Sequence, residues 1–111
     1  MVGGQAGQIM LVYCTCPDEQ NGAELANYLV EQGLAGCVNV LPGITSIYKW
    51  QGEMKSGTEA LLLIKCSAMN YPALESAIKG RHPYELAEII AVSIDAGLPA
   101  YLEWIRDETH V

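Results

Sequence analysis

Two adjacent segments rich in apolar, β-branched and aromatic residues, 37–51 and 54–67, constrain the fold most strongly. The sequence Trp-Gln-Gly-Glu at 50–53 predicts a tight turn between them, so the two segments form a hairpin. Pro42-Gly43 interrupts the first arm and predicts a bend or bulge there. Both arms are longer than the average strand of roughly 5–6 residues. Such a hairpin exposes sheet edges, and pairing with a neighbouring subunit is one way to cover them.

The first half of the chain predicts a strand followed by a helix. Residues 9–16 form a short apolar run that ends before a proline, as a buried strand does. Asp18 is placed to cap a helix over residues 18–32, whose apolar side chains share one face. A second helix follows the hairpin, with Asn70 as its predicted cap and Gly80 at its predicted end.

The last elements complete a β-α-β-β-α-β order. Residues 88–94 form an apolar strand, and Pro99 opens a short C-terminal helix. Two β-α-β halves of this kind predict an α+β, ferredoxin-like fold, with an antiparallel four-stranded sheet and both main helices on one face. The long hairpin protrudes from it. Residues 1–8 read as a flexible lead-in, and 9–111 as a single domain.

Composition excludes several classes of partner. The net charge of −7 opposes nucleic acid and anionic membrane surfaces, which need basic patches. No apolar run approaches the roughly 20 residues of a membrane span. Half of the 111 residues are hydrophobic, which is rich for a small monomer and predicts contact with copies of itself. With four cysteines and no secretion signal, we expect reduced thiols and a cytoplasmic protein.

The residues with metal-binding or catalytic chemistry are few. Cys14 and Cys16 lie two apart on a strand, so both thiols face one side and either hold a soft ion such as Cu(I) or pack as small hydrophobes. His82 lies in a loop near Glu85 and Glu88, either as a ligand or bonded to the backbone. A cysteine nucleophile with His82 as its base is a weaker alternative, because no third residue orients the pair. The sequence therefore favours a protein that is not an enzyme.

Two familiar uses of a ferredoxin-like fold do not fit. RNA recognition needs stacking aromatic residues on the central strands, whereas the chain has no Phe and residues 60–64 are aliphatic. A phosphate site of the acylphosphatase type needs an arginine beside a turn of backbone donors. Only Arg81 and Arg106 are present, and no glycine-rich phosphate loop accompanies them.

Several short stretches, in order over residues 9–105, together carry a family resemblance. They are Cys14-Thr15 with Pro17, 34–39, 42–53, 63–65, His82-Pro83-Tyr84-Glu85 with Glu88-Ile89, and Tyr101-Leu102 with Trp104. The chain resembles the CutA family of divalent-cation tolerance proteins. The resemblance implies a ferredoxin-like protomer in a compact homotrimer, similar to PII-like signalling proteins, whose long hairpin strands pair between subunits.

The resemblance also implies a metal site. By position, the ligands proposed for the family fall on Cys14, His82 and Glu88, with Cys16 and Glu85 as possible additional ligands. The ion would be copper or another divalent cation. At Leu86-Ala87 the chain departs from the pattern, because many relatives have a proline there, and this makes the placement of Glu88 less fixed.

The function expected from the resemblance is a trimeric cytoplasmic protein that binds copper or another divalent metal ion and contributes to metal tolerance. The alternative is a PII-like regulatory or scaffold trimer whose cleft takes a small anion or a protein partner, with no direct metal role. Family-like aromatic residues either form a wall of that cleft or pack at the subunit interface. They are Tyr48, Trp50, Tyr84 and Trp104.

Overall fold

The computed structural model describes residues 8–110, so residues 1–7 of the predicted lead-in lie outside the described part. Within this range the chain forms four strands and three α-helices in the predicted order, with one 3-10 turn before the second helix. The elements are β1 (Ile9–Cys16), α1 (Glu19–Glu31), β2 (Cys37–Trp50), β3 (Glu53–Ser67), α2 (Tyr71–Arg81), β4 (Ile89–Ser93) and α3 (Pro99–Glu108).

The four strands form one antiparallel sheet in the order β2-β3-β1-β4. This is the ferredoxin-like topology that the sequence predicts, because each β-α-β half leaves a gap that a strand of the other half fills. Strand β1 therefore lies in the middle of the sheet. Cys14 is paired with Leu62 of β3 on one side and with Ile89 of β4 on the other.

The long hairpin is confirmed in detail. Gln51 and Gly52 connect its arms with positive φ angles of 51° and 83°, the backbone of a two-residue turn that matches strand twist. The register of the arms shifts between Leu41 and Ile44. Gly43 absorbs this bulge with a φ of 76°. Strand β1 pairs with β3 only from Ala60 onward, so the outer part of the hairpin extends beyond the central strand.

Helices α1 and α2 pack their apolar faces on one side of the sheet and enclose the core. Leu29 of α1 and Ile78 of α2 are fully buried against the strands together with Val12, Leu62 and Ile64. Helix α1 begins as predicted: the Asp18 carboxylate accepts a hydrogen bond of 2.8 Å from the Asn21 backbone N–H.

The second helix begins directly after Asn70, as predicted, but without a side-chain capping bond. Asn70 makes no capping bond, because its backbone is already helical (φ −88°, ψ −9°) and its buried side chain contacts Ser67 and Gly33 instead. The helix also continues one residue beyond Gly80. It ends at Arg81 because Pro83 forces the residue before it, His82, into an extended conformation (φ −80°, ψ 138°).

Within residues 8–110, no helix is both long and apolar enough to cross a membrane. The longest, α1, has 13 residues.

Close packing at Gly36 predicts a stability effect. A Cβ at Gly36 would lie 3.2 Å from the backbone Cα and O of Ile105 in α3, atoms that cannot move aside like a side chain. We expect Gly36→Ala to lower the free energy of unfolding by about 1–3 kcal/mol in urea denaturation. Gly57→Ala is the matched control, because no atom lies within 4 Å of its Cβ. Equal stability of the two variants would contradict the packing argument.

Candidate metal centre

Strand alternation decides which side chains of β1 meet. Cys14 and Cys16 point toward the helices and are buried in the core. Thr15 between them points to the opposite face, where it lines an open groove. The two thiols are therefore neighbours on one face, as their spacing predicts.

His82 reaches these thiols because Pro83 ends helix α2 beside the end of β1. Its imidazole Nε2 lies 2.7 Å from the carbonyl oxygen of Thr15, which can only accept, so Nε2 carries the proton. Its Nδ1 then accepts a hydrogen bond of 3.2 Å from the Tyr84 backbone N–H. Both ring nitrogens thus have partners, and the imidazole ties the loop after α2 to the central strand.

Cys14, Cys16 and His82 form a compact group of potential metal ligands. One ligand atom from each residue lies within 4.8 Å of the others. The hydrogen bond that Cys14 shares with Cys16, followed by burial, raises the pKa of the Cys14 thiol. The same bond lowers the pKa of Cys16. Cys16 is therefore the more acidic of the two thiols.

The donor set suits a soft cation. Two sulfurs and an imidazole are the ligands that Cu(I) and Zn²⁺ prefer, whereas Mg²⁺ and Ca²⁺ prefer oxygen. His82 would have to give up one of its two hydrogen bonds to offer a lone pair to a metal. Such a bond contributes about 1 kcal/mol net, against roughly 10 kcal/mol or more for structural zinc binding to comparable donors. The three residues therefore fit a thiophilic ion, which would also have to displace the proton of the Cys14 thiol.

A small cavity leads from the surface to this group. We call it the thiol cavity; it has a volume of about 370 Å³. Cys16 and His82 both line it, together with the exposed carboxylate of Glu24, and the Arg81 guanidinium at its rim stacks 3.7 Å over the ring of Tyr28. The remaining lining residues are Asn21, Leu25, Gly80 and Pro83.

Glu88 and Glu85 do not belong to the three-residue group. They line a second, larger opening of about 800 Å³, which we call the hairpin groove. Ile89, which is paired with Cys14, packs against the core, so the preceding Glu88 points to the other face of the sheet. The remaining residues of the groove are Thr15, Ser46, Ile47, Tyr48, Lys49, Trp50, Glu59, Pro83, Tyr84 and Leu86.

Three of the four singled-out aromatic residues meet in the hairpin groove. Tyr48, Trp50 and Tyr84 line it, whereas Trp104 lies on α3 beside Tyr101, with their ring centroids 5.8 Å apart. The Tyr84 hydroxyl donates a 2.6 Å hydrogen bond to the Glu59 carboxylate. Burial and this bond raise the pKa of Tyr84.

The geometry does not favour Cys14 as a nucleophile. Cys14 has no exposed surface, and the pKa of its thiol is raised, whereas reactive cysteines are accessible and have lowered pKa values. His82 has no free nitrogen to act as its base, since both nitrogens are hydrogen-bonded.

Sequence reasoning missed two residues that hold side chains of the two openings in place. Thr15 supplies the carbonyl that holds His82, and the β1 alternation would have placed it between the two thiols. Glu59 holds the Tyr84 hydroxyl. The only available signal for Glu59 was a glutamate immediately before the aliphatic run 60–64.

The fold and the buried thiols define a class: a ferredoxin-like domain with a candidate site for a thiophilic cation. The family described as "CutA1 divalent ion tolerance protein" matches residues 10–108. The chain therefore belongs to the CutA1 family, which confirms the resemblance seen in the sequence. It is 44% identical to the "Divalent-cation tolerance protein CutA" of Thermus thermophilus, over 89% of this chain and 96% of that one.

Solved structures of similar proteins share the whole fold. The crystal structure of CutA1 from Oryza sativa superposes with a TM-score of 0.91 at 37% identity, covering 95% of this chain and 96% of that chain. A structure described as the PII-like protein CutA from Nostoc gives a TM-score of 0.83 at 36% identity, covering 93% and 97%. The PII-like architecture is thus common to this chain and its relatives.

Some relatives are longer. The chain is 42% identical to Protein CutA of Mus musculus over 93% of its own length, but spans only 58% of the mouse protein. The relatives' names also give different compartments. The Arabidopsis thaliana protein is called chloroplastic, and the Archaeoglobus fulgidus protein is called periplasmic.

The Tyr84–Glu59 bond predicts a pH-dependent stability difference. We expect Tyr84→Phe to be about 1 kcal/mol less stable than wild type in urea denaturation at neutral pH. Folding raises the pKa of Tyr84, so above pH of about 10 the unfolded chain releases a proton that the folded chain retains. The wild type then loses stability relative to the variant, and the difference shrinks as the pH rises.

The exposed Tyr48→Phe is the control for loss of a hydroxyl in the same groove. Its stability difference from wild type should stay near zero at neutral pH. A Tyr84→Phe difference that grows above pH of about 10 would contradict the assigned bond.

Proposed function

We propose that the protein binds copper or another thiophilic metal ion through Cys14, Cys16 and His82 and thereby contributes to metal-ion tolerance. The observation that carries the proposal is the convergence of three soft or borderline donors within 4.8 Å, at the end of a cavity. Membership of a family described by divalent ion tolerance supports it. In this proposed ligand set, Cys16 replaces Glu88, which the resemblance implies as the third ligand.

Competition with a Cu(I) chelator under anaerobic, reducing conditions tests the ligand set. We expect one Cu(I) per chain, and we expect Cys16→Ser and His82→Ala each to weaken binding by about tenfold or more, the loss that even outer ligand contacts produce. Cys37→Ser removes a thiol outside the group and is the matched control. Glu88→Gln should also leave the affinity unchanged.

Each contrary outcome has a distinct meaning. A wild type that binds Cu(I) no better than free histidine would overturn the metal function. Normal binding by Cys16→Ser with weak binding by Glu88→Gln would restore the Cys14, His82 and Glu88 set. Circular dichroism of each variant separates loss of a ligand from loss of fold.

We infer that the protein assembles as a homotrimer. The sheet face opposite the helices is apolar. Ile90 and Val92 of β4 are 55% and 49% exposed there. On the neighbouring strand β1, Ile90 is paired with Tyr13 and Val92 with Leu11. Beyond the central strand, the hairpin exposes Ile47 and Met54 as well. A monomer would leave these apolar side chains, which lie on both faces of the sheet, in water, and this is unusual for a stable soluble chain.

The assembly is tested by light scattering coupled to size exclusion. We expect a mass three times the 12.0 kDa of one chain. Ile90→Lys should shift the mass toward one chain, because an ammonium buried in an apolar interface has no partner. Val30→Lys, at a comparably exposed position on α1, should leave the trimer intact. A wild-type mass of one chain would contradict the proposal.

The alternative of a PII-like trimer that takes a small anion has less support. The hairpin groove carries the glutamates 59, 85 and 88 against Lys49 alone, and this balance repels anions. A cytoplasmic location stays a prediction, based on four free cysteines that suit a reducing compartment.

A further inference from the structure

Cys14 and Cys16, here called the thiol pair, lie beside more open space than a bare ion needs. The thiol cavity has a volume of about 370 Å³. A water molecule in the liquid takes only about 30 Å³. Cys16 lines the cavity, and the apolar side chains of Leu25 and Pro83 line it as well. An organic group attached to an atom bound by the thiols would therefore find room and apolar contacts next to them.

The thiol cavity belongs to the helix side of the sheet. Its walls include residues from the first half of α1 and the last residues of α2, two helices that cover one face. The apolar face with Ile90 and Val92, which the proposed trimer covers, is the opposite one. Access to the thiol pair therefore does not depend on that face being free.

A single atom can join the two sulfurs of the thiol pair. Strand alternation puts both thiols on the helix side, where they already share a hydrogen bond. Two sulfurs bonded to one atom at about 2.3 Å, as in zinc thiolate sites, lie at most about 4.6 Å apart. The ligand atoms of the group lie within 4.8 Å of one another, so only a small adjustment of the side chains is needed.

Burial favours an uncharged product at the thiol pair. Cys14 is fully buried and Cys16 is 1% exposed, in a core of apolar side chains. Charge left in such surroundings is costly unless it is well paired. A soft atom that replaces both S–H bonds with covalent bonds, and leaves a neutral product, avoids this cost. It needs only two donors, so His82 keeps both of its hydrogen bonds.

We propose that the thiol pair binds organic trivalent arsenicals, with arsenic bonded to both sulfurs and its organic substituent in the thiol cavity. An arsonous acid R–As(OH)₂ reacts first with Cys16, which lines the cavity, and then with Cys14. Two As–S bonds form while two As–O and two S–H bonds break. Each thiol proton leaves with a hydroxide as water, and arsenic stays trivalent. This deepens the proposed function, on whose two thiol ligands it rests.

Phenylarsine oxide, which hydrates to such an acid, tests the reaction on the reduced full-length protein under anaerobic, metal-free conditions. Native mass spectrometry should show one C₆H₅As group per chain with the loss of two hydrogens. Two of the four free thiols should disappear in a thiol assay. Excess dithiothreitol should remove the arsenical, whereas mercaptoethanol at the same thiol concentration should not, because the thiol pair closes both bonds within one molecule.

Variants of the ligands test the location. We expect Cys14→Ser and Cys16→Ser each to weaken phenylarsine oxide by about hundredfold or more, the gain that a second, linked bond provides. Cys37→Ser, which removes a thiol outside the pair, is the matched control and should bind like wild type. His82→Gln, whose amide can still donate to the Thr15 carbonyl, should lose Cu(I) affinity and keep the arsenical.

Inorganic arsenite tests the role of the cavity, because it has no organic substituent. We expect the protein to prefer phenylarsine oxide over arsenite by about tenfold or more beyond the preference that free dithiothreitol shows, since the cavity takes the phenyl ring out of water. A preference equal to that of dithiothreitol would overturn the placement of the substituent.

The arsenical and the Cu(I) measurements fail independently. Cu(I) binding in a wild type that holds phenylarsine oxide no better than its Cys14→Ser or Cys16→Ser variants would overturn this proposal and leave the metal function standing. Arsenical binding without Cu(I) binding would support this proposal and overturn the metal function. Loss of the arsenical in Cys37→Ser would place arsenic on another thiol and contradict the site. Circular dichroism shows that each variant is folded.

Discussion

The position of β1 in the middle of the sheet is the constraint on which the rest of the structure depends. It pairs with β3 on one side and β4 on the other, so its alternation divides the molecule in two. Val12, Cys14 and Cys16 face the helices and belong to the core. Leu11 and Tyr13 face the open side. A shift of β1 by one residue would exchange these faces and bury neither set correctly, which fixes the register strongly.

Local rules predicted most of the fold, because each acts over a few residues. The Asp18 cap, the bulge at Pro42-Gly43 and the two-residue turn at Gln51-Gly52 all appear where the sequence places them. Asn70 occupies the predicted N-cap position but makes no capping bond, because its side chain donates instead to the carbonyl of Gly33, 37 residues away. No pattern within one element contains that information.

The candidate site shows the same division between local and long-range information. The spacing of Cys14 and Cys16 was enough to place both thiols on one face. The ligand set carried over with the resemblance joined Glu88 to them, whereas the pairing of Ile89 with Cys14 sends Glu88 to the opposite face. The register of β4 depends on how the whole sheet closes, which position along the chain does not encode, and the ligand role of Glu88 stays a prediction.

Pro83 connects the fold to both openings through simple backbone chemistry. It ends α2, holds His82 extended, and leaves Tyr84 on the other side of the loop. His82 makes two hydrogen bonds and lies beside two thiols. A thiophilic ion would replace one of these hydrogen bonds with bonds to nitrogen and sulfur, whereas a hard cation binds such donors weakly. Pro83 lines both openings, so this loop separates Cys16 and His82 in the thiol cavity from Glu85 and Glu88 in the hairpin groove.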